Sequence, residues 1–226
     1  GRIMEDLDVP SSEELEAHLE FLGIQLTEGH SAEINLIAES WLNEVSMLLE
    51  RGYLITIDYG SMAEDHYSKP LGTLTTFYRH TQTDNPYVHL GNQDITAQVD
   101  FSALSCLGNS LGLDSLTCMT QERFLVNLGM GRFISKLNVL DLKQQERDAN
   151  RMGMMELVRP GGMGEFKVLI QGKNVIDSSL WCLNPSNELR YILRELTPPL
   201  LGPLHTPLLA ARYPYMGVDM EHNLLD

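Results

Sequence analysis

Cysteine is scarce: Cys106, Cys118 and Cys182 are the only three in 226 residues, and no two are spaced as C-x-x-C. An odd, scattered set argues against a disulfide framework and a thiolate zinc site, and predicts reduced, buried, structural thiols. Basic residues are scarce too, with 16 Lys and Arg against 31 Asp and Glu for a formal net charge of −15. Such a chain repels phosphate backbones and anionic bilayers, so neither nucleic acid nor membrane is expected as a partner. No apolar run approaches the roughly 20 residues that span a bilayer. The segment Gly1 to Pro10 is acidic where a secretory signal would be basic and then apolar, which makes the cytoplasm the expected compartment. His66, His80 and His89 share no zinc or calcium spacing with carboxylates, so no metal is expected. A Gly-x-Gly-x-Gly loop is also missing. The only glycine cluster, Gly161-Gly162-Met163-Gly164, leads into a strand instead of following one and is read as a turn.

What is present is an apolar fraction of 43%, enough for a sizeable core in one domain or one domain plus an appendage, without internal repeats. Ser11 with Glu14 forms a candidate capping box before Leu15, Leu19 and Leu22, and Gly23 suits the helix end. Ser31 is placed to cap a longer helix on the spacing of Ile34, Ile37, Trp41, Val45 and Leu48, with Glu33 in its first turn and Gly52 beyond Arg51. Tyr53 to Ile57 is a short apolar run, as in a parallel strand covered on both faces. Residues 61–100 change character and hold two β-like pieces, Thr73 to Tyr78 and Ile95 to Val99, in what reads as an inserted lid. Asp100 is placed to cap a helix to Leu111, Leu116 to Met119 reads as a strand, and a helix begins near Gln121. A single charged helix is expected over Arg132 to Ala149, and a last strand over Phe166 to Ile170. After Gly172 the composition turns to proline and leucine with few regular periods, and the tail is expected to dock on the body, with binding of a partner as the alternative.

Several ordered segments carry a resemblance. Gly52-Tyr53-Leu54-Ile55-Thr56-Ile57-Asp58-Tyr59-Gly60, Gly72-Thr73-Leu74, Tyr78-Arg79-His80 and Asp94-Ile95-Thr96-Ala97-Gln98-Val99-Asp100-Phe101 follow the pattern of the MidA-like S-adenosylmethionine-dependent protein methyltransferases, in order. Thr120-Gln121, Phe124-Leu125, Leu128-Gly129, Met163-Gly164 and Phe166-Lys167-Val168-Leu169 extend the match, which runs from about Leu15 to Ile170. The resemblance implies an α/β fold: the C-terminal part of a class I, Rossmann-like methyltransferase sheet, with Tyr53 to Asp58 as its fifth strand. The pieces at Leu116 and Phe166 would be the sixth and seventh strands, and 61–100 the inserted lid. It implies S-adenosylmethionine as cofactor of the complete enzyme, held by loops of the earlier strands, so this chain alone is not expected to bind it. It also implies a protein substrate, with arginine as the modified residue by analogy with a related mitochondrial enzyme.

Planar, permanently charged guanidinium groups are held well by carboxylates. Asp58, at the carboxyl end of a strand, with Asp94 and Asp100 flanking their motif, are therefore the candidate gripping carboxylates. His80 is the candidate proton acceptor or hydrogen-bonding partner. Competing structural roles are a turn residue for Asp58, a helix cap for Asp100 and a packed histidine for His80. The expected organisation is an N-terminal helical segment, 1–30, a partial methyltransferase domain, 31–172, and an extension, 173–226. The alternative function is a non-catalytic interaction or assembly module. An unpaired edge on the fifth strand predicts a homodimer or pairing with an N-terminal half.

Overall fold

In the computed structural model, which describes residues 3, 6–79, 81–83, 85–175 and 179–202, the chain divides into two compact units. The first joins residues 1–118 to 167–177, and the second joins 119–166 to 178–226.

The first unit opens on α1, Glu13–Leu22, capped by Ser12 and not the expected Ser11: its hydroxyl accepts the Glu14 amide at 3.1 Å. Gly23, at φ +67°, closes the helix as expected, in a conformation that favours glycine. Helix α2 spans Ile37–Leu48, five residues later than the Ser31 cap predicts. A tertiary bond holds the preceding stretch out of the helix, the Ser31 amide donating to Pro70 O at 2.9 Å, and a local one marks the later start, Asn35 Oδ1 accepting from Ile37 N at 3.1 Å. The buried face of α2 also differs from the expected one. Leu42 and Ser46 are buried, whereas Ile37, Trp41 and Leu48 are 76%, 41% and 86% exposed.

Strand β1, Gly52–Asp58, is followed by β2, Gly60–Ser61, and a short helix α3, Ala63–Tyr67. Three small strands come next: β3, Thr75–Tyr78, β4, Thr81–Thr83, and β5, Asp94–Thr96, paired in the order β4-β3-β5. Strand β6, Val99–Asp100, returns to pair in parallel with β2 and leads into α4, Phe101–Ser110, then β7, Asp114–Thr120. Strand β8, Lys167–Lys173, lies between β1 and β7 and runs antiparallel to β1, with Gly52 opposite Lys173 and Asp58 opposite Lys167. The expectation of a parallel strand covered on both faces is thereby corrected for β1. Leu54 packs inward, while Tyr53, Ile55 and Ile57 on the other face are 37%, 51% and 47% exposed. That alternation is the pattern of a strand with one covered face.

The inward face meets a core of Leu42, Phe101, Leu104, Leu107, Leu113 and Leu169. Complete burial of one such side chain contributes about 1.5–3 kcal/mol. Gln171, 1% exposed in β8, crosses this core with its amide donating toward Leu104 O at 3.2 Å and Leu113 O at 3.4 Å. A Cβ on Gly108 would collide with that amide, which is why α4 carries a glycine there. Of the thiols, Cys182 is buried and Cys118 half-buried, but Cys106 is exposed, against the expectation of three buried cysteines.

The second unit holds α5, Gln121–Asn127, α6, Met130–Lys136, and α7, Gln144–Leu157. The single helix expected over Arg132 to Ala149 is thus broken. Leu137 is fully buried at the break, and Arg147 donates to the carbonyls of Leu137 and Leu142 at 3.1 Å each, which satisfies backbone that a continuous helix would have used itself. The glycine cluster forms a turn and a 3-10 segment, Met163–Glu165, immediately before β8, as expected. Helix α8, Asn187–Glu195, stands in the stretch that showed few periods in sequence. Ser186 caps it, and Lys136 Nζ donates to the Arg194 and Leu196 carbonyls at its end, at 2.5 and 2.6 Å. No helix among the described residues is long and apolar enough to cross a membrane.

Candidate functional site

The excursion between β2 and β6 is anchored at its base by a chain of hydrogen bonds. Gly72 adopts φ +71°, and a Cβ there would run into the Glu33 carboxylate. With that space open, Glu33 Oε2 accepts from the Thr73 amide at 2.7 Å and the Thr73 hydroxyl at 2.8 Å. The same hydroxyl oxygen accepts from Gln98 N at 3.0 Å, and Gln98 Oε1 accepts from Ser61 Oγ at 3.2 Å and Lys69 Nζ at 2.6 Å. Glu33 is therefore no first-turn residue of a helix: it ties the start of the excursion to its end. The Gly72-Thr73 and Gln98 positions of the sequence motifs are explained by this contact.

Next to the network lies a buried polar group. Asp100 caps α4, its Oδ1 accepting from Ala103 N at 3.0 Å, while its Oδ2 is buried without a hydrogen-bond partner. Burial first, and then the charge and approach of Asp100, push the Tyr67 phenol well above its ordinary range. The Tyr67 hydroxyl is 3.4 Å from His18 Nε2. Burial lowers the affinity of His18 for its proton, Asp100 and Glu39 oppose this, and His66 reinforces it. His66 is 2% exposed, edge-on to the Tyr67 ring at 4.8 Å, and neither of its ring nitrogens has a hydrogen-bond partner.

The three candidate carboxylates are not gathered at one point by any shared hydrogen bond. Asp58 is half-buried at the end of β1, where Oδ1 accepts from the next amide, Tyr59 N, at 2.8 Å. Asp100 sits on β6, whose partner strand β2 begins two residues after Asp58. Asp94 is exposed on β5, in the separate β4-β3-β5 sheet. His80 lies outside the described residues. Thr73, Gln98, Ser61, Lys69, His18 and Tyr67 were not singled out as site residues. The local signal for two of them was their place in the Gly72-Thr73-Leu74 and Asp94-to-Phe101 motifs.

A nucleotide cofactor needs backbone close to its sugar or phosphate, which glycine provides at a strand-to-helix turn. Among the described residues no glycine-rich loop links a strand end to a helix start. The crowded glycines are closed by the chain itself: Gly60 faces Val99 O and the Phe101 ring, Gly108 faces Gln171, and Gly172 faces Val175. These residues do not form an adenosine cradle. The described residues contain no group of three or more His, Cys, Asp or Glu able to hold a metal ion.

Residues 1–119 match the model of a family described as "Putative S-adenosyl-L-methionine-dependent methyltransferase". The native crystal structure of an uncharacterized superfamily protein from Burkholderia thailandensis superposes with a TM-score of 0.65 at 33% identity, covering 76% of this chain and 46% of that one. A second structure from Burkholderia thailandensis, of a superfamily member bound to S-adenosyl-homocysteine, has a TM-score of 0.65 at 32% identity, covering 78% of this chain and 45% of that one. The α/β fold expected from the sequence is the fold of these structures, and the chain spans somewhat under half their length. No curated protein matches the chain significantly.

Proposed function

We propose, from the premise that the chain belongs to this S-adenosyl-L-methionine-dependent methyltransferase family, that it serves methyl transfer to an arginine side chain of a protein. The observation that carries the reading is Asp58. It stands half-buried at the carboxyl end of β1, where open α/β sheets collect their ligands, and among the described residues only its Oδ1 is engaged, by its neighbour's amide. The free oxygen is suited to charge-assisted bonding with a guanidinium. S-adenosylmethionine supplies the methyl group in this family. What these residues contribute is grip: a target nitrogen fixed in place converts the transfer into an effectively intramolecular step. Asp100 supports the same region through the cap it places on α4, and the MidA-like motifs described above favour a protein arginine as the target.

Cofactor binding is proposed to require residues beyond those described, supplied by a longer chain or by a partner. In the complete enzyme, Asp58→Asn is expected to abolish methyl transfer to an arginine peptide while leaving the fold intact, as judged by an unchanged unfolding midpoint. Retained transfer would remove Asp58 from the reaction. Calorimetric titration of the 226-residue chain with S-adenosylmethionine is expected to show no binding, and stoichiometric binding would overturn the partner-dependent part of the reading.

One observation favours a second role, as an interaction or assembly module. The outward face of β1 presents Tyr53, Ile55 and Ile57, and no described strand pairs with its other edge. Exposed apolar edge strands recruit further strands. A homodimer, or pairing with another part of the fold, follows from that role, and a monodisperse monomer by light scattering would count against it.

A further inference from the structure

The small β4-β3-β5 sheet carries a feature that the grip by Asp58 does not use. In its register Phe77 of β3 stands directly opposite Gln82 of β4 on one side and Asp94 of β5 on the other. Residues directly opposite in antiparallel pairs point to the same face, with Cβ atoms about 4.5–5.5 Å apart. Gln82, Phe77 and Asp94 therefore form a straight row across three strands: an amide, an aromatic ring and a carboxylate. All three are exposed, Phe77 at 38%. Among the described residues no ion pair or side-chain hydrogen bond engages Asp94 or Gln82.

The frame beneath the row is fixed from the other face. Thr76 is completely buried there and its hydroxyl reaches Thr83 Oγ1 at 2.5 Å and Thr83 O at 2.7 Å. Tyr78, the next residue of β3 and so on the opposite face from Phe77, stacks on His89 with ring centres 3.8 Å apart and planes 4° apart. The Arg79 guanidinium lies 5.4 Å from the same ring. Arg79 and His89 both take positive φ, 47° and 50°, an uncommon region for residues other than glycine. The Arg79 guanidinium lies at Tyr78, and among the described residues no ion pair engages Asp94 on the Phe77 face.

We propose that the Gln82-Phe77-Asp94 row docks an arginine side chain of a protein partner. A guanidinium is flat and permanently charged, stacks on an aromatic face, and carries donors along its edges. Seated over Phe77, it donates to the Asp94 carboxylate on one side and to the Gln82 carbonyl oxygen on the other. Charge complementarity selects this occupant: the charged group of the row is the Asp94 carboxylate, and the chain as a whole carries −15. The inference rests on the proposed function, methyl transfer to a protein. It assigns Asp94 to holding a neighbouring segment of that partner, at a place distinct from Asp58.

The test is a titration of the isotope-labelled 226-residue chain, followed by NMR, with an acetylated and amidated Gly-Gly-Arg-Gly-Gly peptide. The matching citrulline peptide, neutral but of the same shape, is the control. The arginine peptide is expected to shift the amides of Phe77, Gln82 and Asp94 and their strand neighbours, and the citrulline peptide to leave them unmoved. Asp94→Asn is expected to weaken the arginine peptide at least fivefold with the rest of the spectrum unchanged, and Phe77→Leu to weaken it by a smaller factor without loss of fold. Equal shifts from citrulline, unchanged affinity in Asp94→Asn, or shifts confined to residues outside this sheet would each overturn the proposal. The two readings fail separately. Asp58→Asn leaves the shifts of Phe77, Gln82 and Asp94 in this titration unchanged if the row docks arginine, whatever happens near Asp58 or to methyl transfer in the complete enzyme.

Discussion

Two polar regions border the excursion that runs from β2 to β6, and they are built on opposite terms. At its base, Glu33 Oε2 holds two donors from Thr73, the Thr73 oxygen accepts from Gln98 N, and the Gln98 oxygen holds Ser61 and Lys69. Further out, on the small sheet, Asp94 and Gln82 flank Phe77 with their side chains open to solvent. Both regions use a carboxylate and an amide. Where the groups answer one another, taking them out of water is compensated and the result is rigidity. Where they answer nothing in the chain, they are available to something else. Saturation of hydrogen bonding therefore separates residues that build this molecule from residues that could act for it, better than residue type does.

The sharpest way to break the comparison is at Glu33. Glu33→Ala leaves the Thr73 amide and hydroxyl without their acceptor in a half-buried place. Bonds to a charged group are each worth about 1.5–3 kcal/mol, so a net loss of about 3 kcal/mol is expected in urea unfolding. A change below about 1 kcal/mol would mean that the network is decoration and that Glu33 is free for another role. Gly60→Ala ranks next. Its Cβ would collide with Val99 O and come within 2.8 Å of the Phe101 ring, forcing β2 from β6, for an expected cost of about 2 kcal/mol by the same measurement.

A third test uses pH. Folding lowers the pKa of His18 from its ordinary value of about 6.5, chiefly through burial, with Asp100 and Glu39 opposing and His66 assisting. The unfolded chain then holds the proton more tightly than the folded one. Stability from this source is complete above about 6.5 and falls as the pH drops through the window below it. His18→Gln is expected to flatten that part of a plot of unfolding midpoint against pH. An unchanged slope would place the titrating group elsewhere in the cluster.

Much of this frame was legible from local signals. The cap of α4 by Asp100, the glycine end of α1, and the strands at Tyr53, Leu116 and Phe166 are set by residues within a turn or two of where they act, so pattern alone finds them. The failures share a cause in distance. Ser31 and Glu33 read as the start of a helix because their real partners, Pro70 and Thr73, lie about 40 residues on. The helix expected over Arg132 to Ala149 is divided where Leu137 is buried and Arg147 reaches back to its carbonyl, contacts that the local sequence does not announce. Helix α2 has apolar residues on more than one side, so its spacing cannot say that Leu42 faces the core while Ile37 and Leu48 do not. In the same way, Asp58, Asp94 and Asp100 were nameable as carboxylates, but which of them is engaged by the chain is a property of the fold.

The smallest expected effect is the most discriminating. Asp94→Asn changes a charge on an exposed strand residue whose side chain has no ion-pair or hydrogen-bonding partner among the described residues, and substitutions of that kind stay within about 0.5 kcal/mol. The variant is therefore expected to unfold at the same urea concentration as the parent chain, with the same slope. Glu33→Gln, by contrast, keeps shape but loses charge, and should fall between the parent and Glu33→Ala because a neutral carbonyl still accepts from Thr73 more weakly. If Asp94→Asn destabilised the chain as much as Glu33→Gln, Asp94 would be holding the small sheet together, and its openness to solvent would not mark it for a partner. If it costs nothing, the carboxylate is retained at no benefit to the fold, which is what a group kept for binding requires.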